Sequence, residues 1–290
     1  MKNTIIYLLI VLFPVATKAQ DAIYEKSDSI LIEEIIKRHT LDSYRSTGEL
    51  AIAIAEEFEG MEYVANTLDN TKKEQLFISC DKLDCTTFVE LVAAMTITVC
   101  NNENKFADVC RNLENIRYRD GIRNGYQSRL HYFSWWIDDN RKKRIVEEVT
   151  ADSPHRHSRL YINYMSSHPD NYRQLKESPR VISEIEKFEI PYRDISISYI
   201  PKDKLNAGSN ILNIKNGDII ALVTTINGLD VTHVGFAFWK DEELHLMHAS
   251  SKEGKVIKDK TTLYEYQKGK KSQTGIRVIR IQPCTGTKNL

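Results

Sequence analysis

Asp84-Cys85-Thr86-Thr87-Phe88-Val89-Glu90, running on through Leu91-Val92-Ala93-Ala94-Met95 to Cys100, is the stretch that decides how this chain folds. From Thr86 to Cys100 the only charged residue is Glu90, while Phe88, Val89, Leu91, Val92, Ala93, Ala94, Met95, Ile97 and Val99 surround it. A helix that is apolar on nearly every side is a buried one, so the run predicts a central helix with Cys85 at its N-terminus. The free N–H groups and positive dipole end there favour thiolate over thiol. A cysteine used only for packing is the competing reading, and the rest of the chain has to separate the two.

Working outward, Ser29–Ile36 and Gly48–Phe58 have helical periodicity, and Tyr63–Ala65 and Leu76–Ile78 read as short strands leading into the cysteine helix. A helix is expected through Tyr132–Asn140. From Ile195 onward the pattern changes to short β segments: Ser196–Ile200, Ile219–Val223 after the turn Asn216-Gly217-Asp218, Val231–Phe238, Leu244–Ala249 and Ile276–Ile281. Helices first and an antiparallel sheet second is an α+β layout. Residues 20–290 are expected to form one domain, with 101–195 an elaboration rather than a separate unit.

The first 19 residues read differently. Lys2 precedes an apolar run from Ile5 to Phe13, and small residues precede a cut ahead of Gln20. This is the layout of a secretory signal peptide, too short to span a bilayer, and no cysteine lies near the cut to carry a lipid anchor. The expected mature protein is exported, to the periplasm or beyond the cell. Without residues 1–19 the chain holds 38 basic and 40 acidic residues, a balance that speaks against nucleic-acid binding. Cys80, Cys85, Cys100, Cys110 and Cys284 are too few for a disulfide scaffold in a chain of 290 residues. Their odd number leaves at least one thiol free, with up to two bridges among the others if that one is Cys85.

A cysteine nucleophile needs a base, and the base needs an orienting group. His233 sits in Thr232-His233-Val234-Gly235-Phe236, where Gly235 leaves the same strand face open two residues on. His248 lies on the following strand. Pairing Phe238 with Glu243 across a four-residue loop places His233 opposite His248 on one face, with His245 on the other. A one-residue slip would break that arrangement. His155, His157 and His168 lack the partners of a metal site, no metal or cofactor is expected, and Ser250-Ser251 lacks a nucleophile elbow.

Asp84–Glu90, then Asn216–Ala221, Thr232–Phe236 and His248–Ser251, in that order, resemble the NlpC-type cell-wall cysteine hydrolases, which have a papain-like fold. The blocks Gly228–Gly235 and Arg129–Phe133 are similar to their N-acetylmuramoyl-L-alanine amidase-like branch, and the resemblance runs from about Gly48 to Arg280. It implies Cys85 as nucleophile, His233 as base and His248 as the group that orients the base. The implied reaction is hydrolysis of the N-acetylmuramoyl–L-alanine amide bond in peptidoglycan fragments, in particular anhydro-muropeptides. A D-glutamyl stem-peptide endopeptidase and a non-catalytic muropeptide-binding protein are the alternatives. Aromatic and Arg side chains suit sugar rings and peptide carboxylates, so Arg129, Tyr132 and Asp230 are assigned to substrate, while Trp135 stands where the related pattern favours an acidic residue. The sequence does not speak to oligomeric state.

Overall fold

A computed structural model of the chain describes residues 22–71 and 73–283; the expected signal peptide and Cys284 lie outside them. Strand β1 (Ala22–Ile23) is followed by helices α1 (Lys26–Leu41) and α2 (Thr47–Glu56), then the short strands β2 (Glu62–Tyr63), β3 (Leu76–Phe77) and β4 (Lys82–Leu83). Next come α3 (Cys85–Cys100), α4 (Phe106–Arg117), α5 (Phe133–Lys142), β5 (Val146–Glu148), β6 (Arg156–Tyr161), α6 (Tyr164–Ser167) and α7 (Pro179–Glu189). The chain ends with β7 (Arg193–Pro201), β8 (Ile219–Thr224), β9 (Val231–Lys240), β10 (Glu243–Ser250), β11 (Lys255–Thr262), α8 (Leu263–Lys268) and β12 (Gln273–Ile281).

Among the described residues, ten strands form one sheet in the order β4-β2-β11-β10-β9-β8-β12-β7-β6, with β5 also on β12. Its pairings are antiparallel except for β2 with β4, so the α+β layout expected from the sequence is the one found. β5 and β6, from the stretch 101–195, join this same sheet. The alternation along β8 explains its two apolar faces. Ile219, Ala221 and Val223 belong to the core shared with the helices, and Ile220 and Leu222 to a second core that holds Leu263 of α8.

α3 is buried on nearly every side from Thr87 to Thr98, as its composition requires. Its start is fixed by a capping box: the Asp84 carboxylate accepts from Thr87 N–H, and the Thr87 hydroxyl accepts from Asp84 N–H. Phe88 meets Phe236 of β9 edge-on, with ring centroids 5.7 Å apart, so the helix start is held against the strand that carries His233. Gly217, at φ +81, and Gly48 bring the turn before β8 and the start of α2 so close that a Cβ on either would collide with the other's backbone or its neighbour's.

The β9–β10 hairpin differs in detail from its expected register. Lys240 pairs with Glu243 and Phe238 with His245, across a two-residue turn. Asp241 and Glu242 occupy that turn with φ 50 and 61. The paired positive φ values match the twist of the flanking strands better than a longer loop. The displacement is two residues, not one, so side-chain faces are unchanged: His248 falls across from Gly235, and His233 is its diagonal neighbour. A Cβ on Gly235 would stand 2.9 Å from the His248 Cβ and 2.7 Å from Met247 O. The missing side chain is what lets the two imidazoles meet.

Candidate active site

β9 and β10 bring His233 and His248 into direct contact. Nε2 of His233 lies 2.6 Å from Nδ1 of His248, with the rings nearly perpendicular at 86°. One nitrogen donates and the other accepts. His248 is fully buried, and its Nε2, which makes no hydrogen bond of ordinary geometry, stands 3.5 Å from Oδ2 of Asp259 on β11. Asp259 is fixed in turn by Thr261, whose N–H and hydroxyl donate to Oδ1 at 2.9 Å and 2.5 Å.

Cys85 is half-buried at the first position of α3; its sulfur lies 4.0 Å from the Thr86 hydroxyl, and the backbone N–H of Val234, the residue after His233, acts to favour its thiolate. Tyr266 of α8 is the common neighbour. Its ring centroid is 6.3 Å from that of His233 and 5.6 Å from that of His248. Burial, then the charges of Asp259 and Cys85, push its phenol up to about 12. Lys270 Nζ lies 3.2 Å from the centroid of that ring, a close cation–π contact. Tyr63 of β2 is likewise held up, by burial and then by Cys85 and Asp84.

The electrostatics correct one expectation. The helix start favours thiolate, but burial and the adjacent Asp84 carboxylate outweigh it and push the Cys85 thiol up to about 11. Burial, with His248 and Lys270 beside it, pulls His233 down to about 3. At neutral pH both groups therefore rest uncharged. Iodoacetamide labelling of Cys85 should accordingly be slow near pH 7 and rise about tenfold per pH unit toward pH 11. Cys80 and Cys110 are buried free thiols pushed up further, Cys110 to about 12, and should lag behind. Peptide mapping after timed alkylation checks both statements; fast, pH-independent labelling at Cys85 would contradict them. Cys100 is disulfide-bonded, so with three thiols free at most one bridge forms, not two.

Three histidines, His248 buried and His131 and His233 half-buried, also link folding to pH. His131 is held well below its ordinary value by burial and then by Arg129, and His248 is lowered by burial, only partly offset by Asp259. With His233 they stay neutral in the fold, while in the unfolded chain each titrates near 6.5. Below that pH the unfolded chain takes up protons that the fold refuses, so stability is full above about 6.5 and is lost as pH falls toward 3. Urea midpoints from pH 7.5 to 4.5 should fall, and His233→Gln should flatten part of that slope. An unchanged slope in the variant would remove His233 from the account.

The three residues assigned to substrate from the sequence, Arg129, Tyr132 and Asp230, are buried and hydrogen-bonded within the fold. Arg129 is buried, with Nη2 on Asp69 at 2.5 Å, Nη1 on Leu68 O at 3.1 Å and Nε 3.8 Å from Glu74. The Tyr132 hydroxyl donates to Glu189 and accepts from Met165 N–H, both at 2.7 Å. Asp230 accepts from the N–H groups of Ser134 at 2.6 Å and Val231 at 2.8 Å. Each side chain is buried: Arg129 ties its loop to the segment 68–74, Tyr132 ties the start of α5 to α6 and α7, and Asp230 ties α5 to the start of β9. The residues that sequence reasoning misses are Asp259, Tyr266 and Lys270. A faint signal exists for Asp259 in the alternation of Ile257 and Asp259, but it is readable only once β11 is placed beside His248, which pairs with Ile257.

Among the described residues, no group of three or more His, Cys, Asp or Glu side chains is arranged to hold a metal ion, and no helix is long and apolar enough to cross a membrane. The sequence pattern of the AmiA-like family, described as N-acetylmuramoyl-L-alanine amidase-like, matches residues 53–276. Among solved structures, the chain is similar to an N-acetylmuramoyl-L-alanine amidase from Bacteroides uniformis at 42% identity and TM-score 0.77, over 81% of this chain and 99% of that one. It is also similar to a Bacteroides fragilis protein named provisionally as a xylanase, at 47% identity and TM-score 0.73, over 78% of this chain and 98% of that one. A Legionella pneumophila protein at 22% identity and TM-score 0.66, over 89% and 95% of the two chains, shares the fold. No protein of curated function matches the chain.

Proposed function

The chain belongs to the N-acetylmuramoyl-L-alanine amidase-like family, and from that premise we propose that it is an exported cysteine amidase. Its substrates in this reading are peptidoglycan fragments, in particular anhydro-muropeptides, and the bond cleaved joins the lactyl group of N-acetylmuramic acid to L-alanine. The observation that carries the reading is the His233–His248 hydrogen bond at 2.6 Å, on the strand whose next residue, Val234, acts through its N–H on the Cys85 thiol. A nucleophile at the start of a buried helix, with its base on a strand of the sheet packed against it, is the papain-like arrangement of the NlpC-type hydrolases.

His233 spends Nε2 on His248, which leaves Nδ1 for the thiol. Neither group charges readily alone, because burial penalises both a lone thiolate and a lone imidazolium. Moving the proton from Cys85 to His233 Nδ1 charges both at once, and their attraction offsets the burial. The sulfur then bonds to the amide carbon, and the carbonyl π pair moves to oxygen. The N–H of Cys85 at the helix start is a donor for that oxyanion. As the oxyanion collapses, the C–N bond breaks, and the proton on His233 passes to the departing nitrogen of L-alanine. Water, deprotonated by His233, cleaves the thioester and restores the thiol.

The xylanase name on one relative points to different chemistry. Glycoside hydrolysis needs two carboxyl groups flanking the bond; here the one carboxylate in the histidine cluster, Asp259, is engaged with His248 and Thr261. Mass spectrometry of products from a defined anhydro-muropeptide tests the reading. Free anhydro-muramyl sugar plus an intact peptide beginning with L-alanine is the expected result. A cut after the D-glutamyl residue would make the protein a stem-peptide endopeptidase, and release of shortened glycans would make it a glycosidase.

A further inference from the structure

We propose that Asp259 is a positioning residue that sets the tautomer of His248, and through it the tautomer of His233; this rests on the reading of Cys85 and His233 as nucleophile and base. The line runs from His233 Nε2 to His248 Nδ1 at 2.6 Å and from His248 Nε2 to Asp259 Oδ2 at 3.5 Å. A carboxylate offers only lone pairs. It therefore draws the His248 proton to Nε2 and leaves Nδ1 as an acceptor. That acceptor in turn draws the His233 proton to Nε2, and the free lone pair at Nδ1 of His233 faces the task of taking the thiol proton. The opposite tautomer of His248 reverses the chain: Nδ1 donates, His233 Nε2 must accept, and His233 then carries its proton on the nitrogen that should be basic.

Asp259 is built to hold one orientation. Thr261 donates twice to Oδ1, which leaves Oδ2 toward the imidazole. Hydrogen bonds from Thr261 and the interaction with His248 outweigh burial and keep the carboxyl below its ordinary range, so it is an anion wherever the enzyme works. The other charged or titratable groups beside the two imidazoles are Lys270 and Tyr266, and neither is placed against His248 Nε2 in the pairings that the structure forms.

Asp259→Asn makes the test. The two Thr261 donors hold the amide oxygen at the Oδ1 position, so the amide NH2 faces His248 Nε2 and forces it to accept. The expected result is a fall in kcat of about 10- to 100-fold, the scale of outer-shell partners, with KM within about twofold. Long-range 15N–1H spectra of the histidine-labelled protein should show the proton of His248 on Nε2 in the native chain and on Nδ1 in the variant. Loss of activity without a tautomer change would make Asp259 merely structural and overturn the proposal. So would a native His248 protonated on Nδ1, which needs no variant to fold. An active Cys85→Ala protein would remove the proposed chemistry instead, while leaving the His248 tautomer to be read directly.

Discussion

Cys85→Ala should reduce amide cleavage of a muropeptide by about 10⁴-fold or more, the loss seen when a nucleophile is removed from a unit whose members act jointly. The fold should survive. Cys85 is half-buried at a helix start whose cap is made by Asp84 and Thr87, not by the sulfur, and removing the sulfur gives up only a weak 4.0 Å contact with the Thr86 hydroxyl. Circular dichroism and the urea midpoint should therefore match those of the native chain while turnover disappears. Binding of the intact muropeptide, measured by calorimetry, should persist, because no covalent step is needed for it. Unchanged turnover would end the cysteine-amidase reading, and binding without turnover in the native chain itself would make the protein a muropeptide-binding module.

His233→Ala belongs beside it as a control with a different signature. Without the base, the thiol held at about 11 must be deprotonated by hydroxide. Any residual rate should then rise with pH across the alkaline range, whereas Cys85→Ala should stay flat.

The helix behind Cys85 can be read from composition alone, because a run with one charge in fifteen residues has nowhere to lie except inside. The meeting of His233 and His248 is legible for a sturdier reason than the exact register of their hairpin. Strand side chains alternate with a period of two, so a two-residue error in the turn keeps both on one face. α4 carries an equally legible pattern: Phe106, Val109, Cys110, Leu113 and Ile116 recur at three and four residues and are all buried. β11 is not legible. Lys255-Val256-Ile257-Lys258-Asp259-Lys260 is polar because only the two-residue strand β2 covers its outer edge, so a strand next to the site looks like a loop, and Asp259 is hidden with it. The partners of Arg129, Tyr132 and Asp230 are not legible either, because a polar side chain among aromatics has the same sequence signature whether it faces a cleft or a buried partner. These partners lie 60, 57 and 96 residues away, a distance over which local pattern says nothing.

Glu90→Ala should be the most destabilising single change in the helix that carries Cys85, costing about 3–5 kcal/mol. Glu90 and Arg117 are each 2% exposed, and Glu90 Oε2 accepts from Arg117 Nε at 2.6 Å. Arg117 also donates through Nη1 to Phe77 O at 2.7 Å. The pair thus joins α3 to α4 and to β3, one turn below the nucleophile. Burial pushes the Glu90 carboxyl up, and the Arg117 guanidinium opposes that rise. Truncating the glutamate leaves a buried guanidinium without its hydrogen-bonded carboxylate, with only the more distant Glu74 opposing its charge, and that penalty dominates over the missing packing of the side-chain stem. Against a domain stability of about 5–15 kcal/mol, a loss of this size puts the variant near its unfolding threshold at 37 °C. Glu90→Gln keeps an acceptor for Arg117 and should cost less. Glu90→Leu combined with Arg117→Met removes both charges together and should recover most of the loss, because the cost lies in the unpaired ion rather than in the absence of the pair. Urea unfolding of the three variants decides it: a Glu90→Ala stability within about 1 kcal/mol of native, or a double variant no better than the single, would show that water reaches Arg117 and that the base of the cysteine helix is less dry than its packing requires.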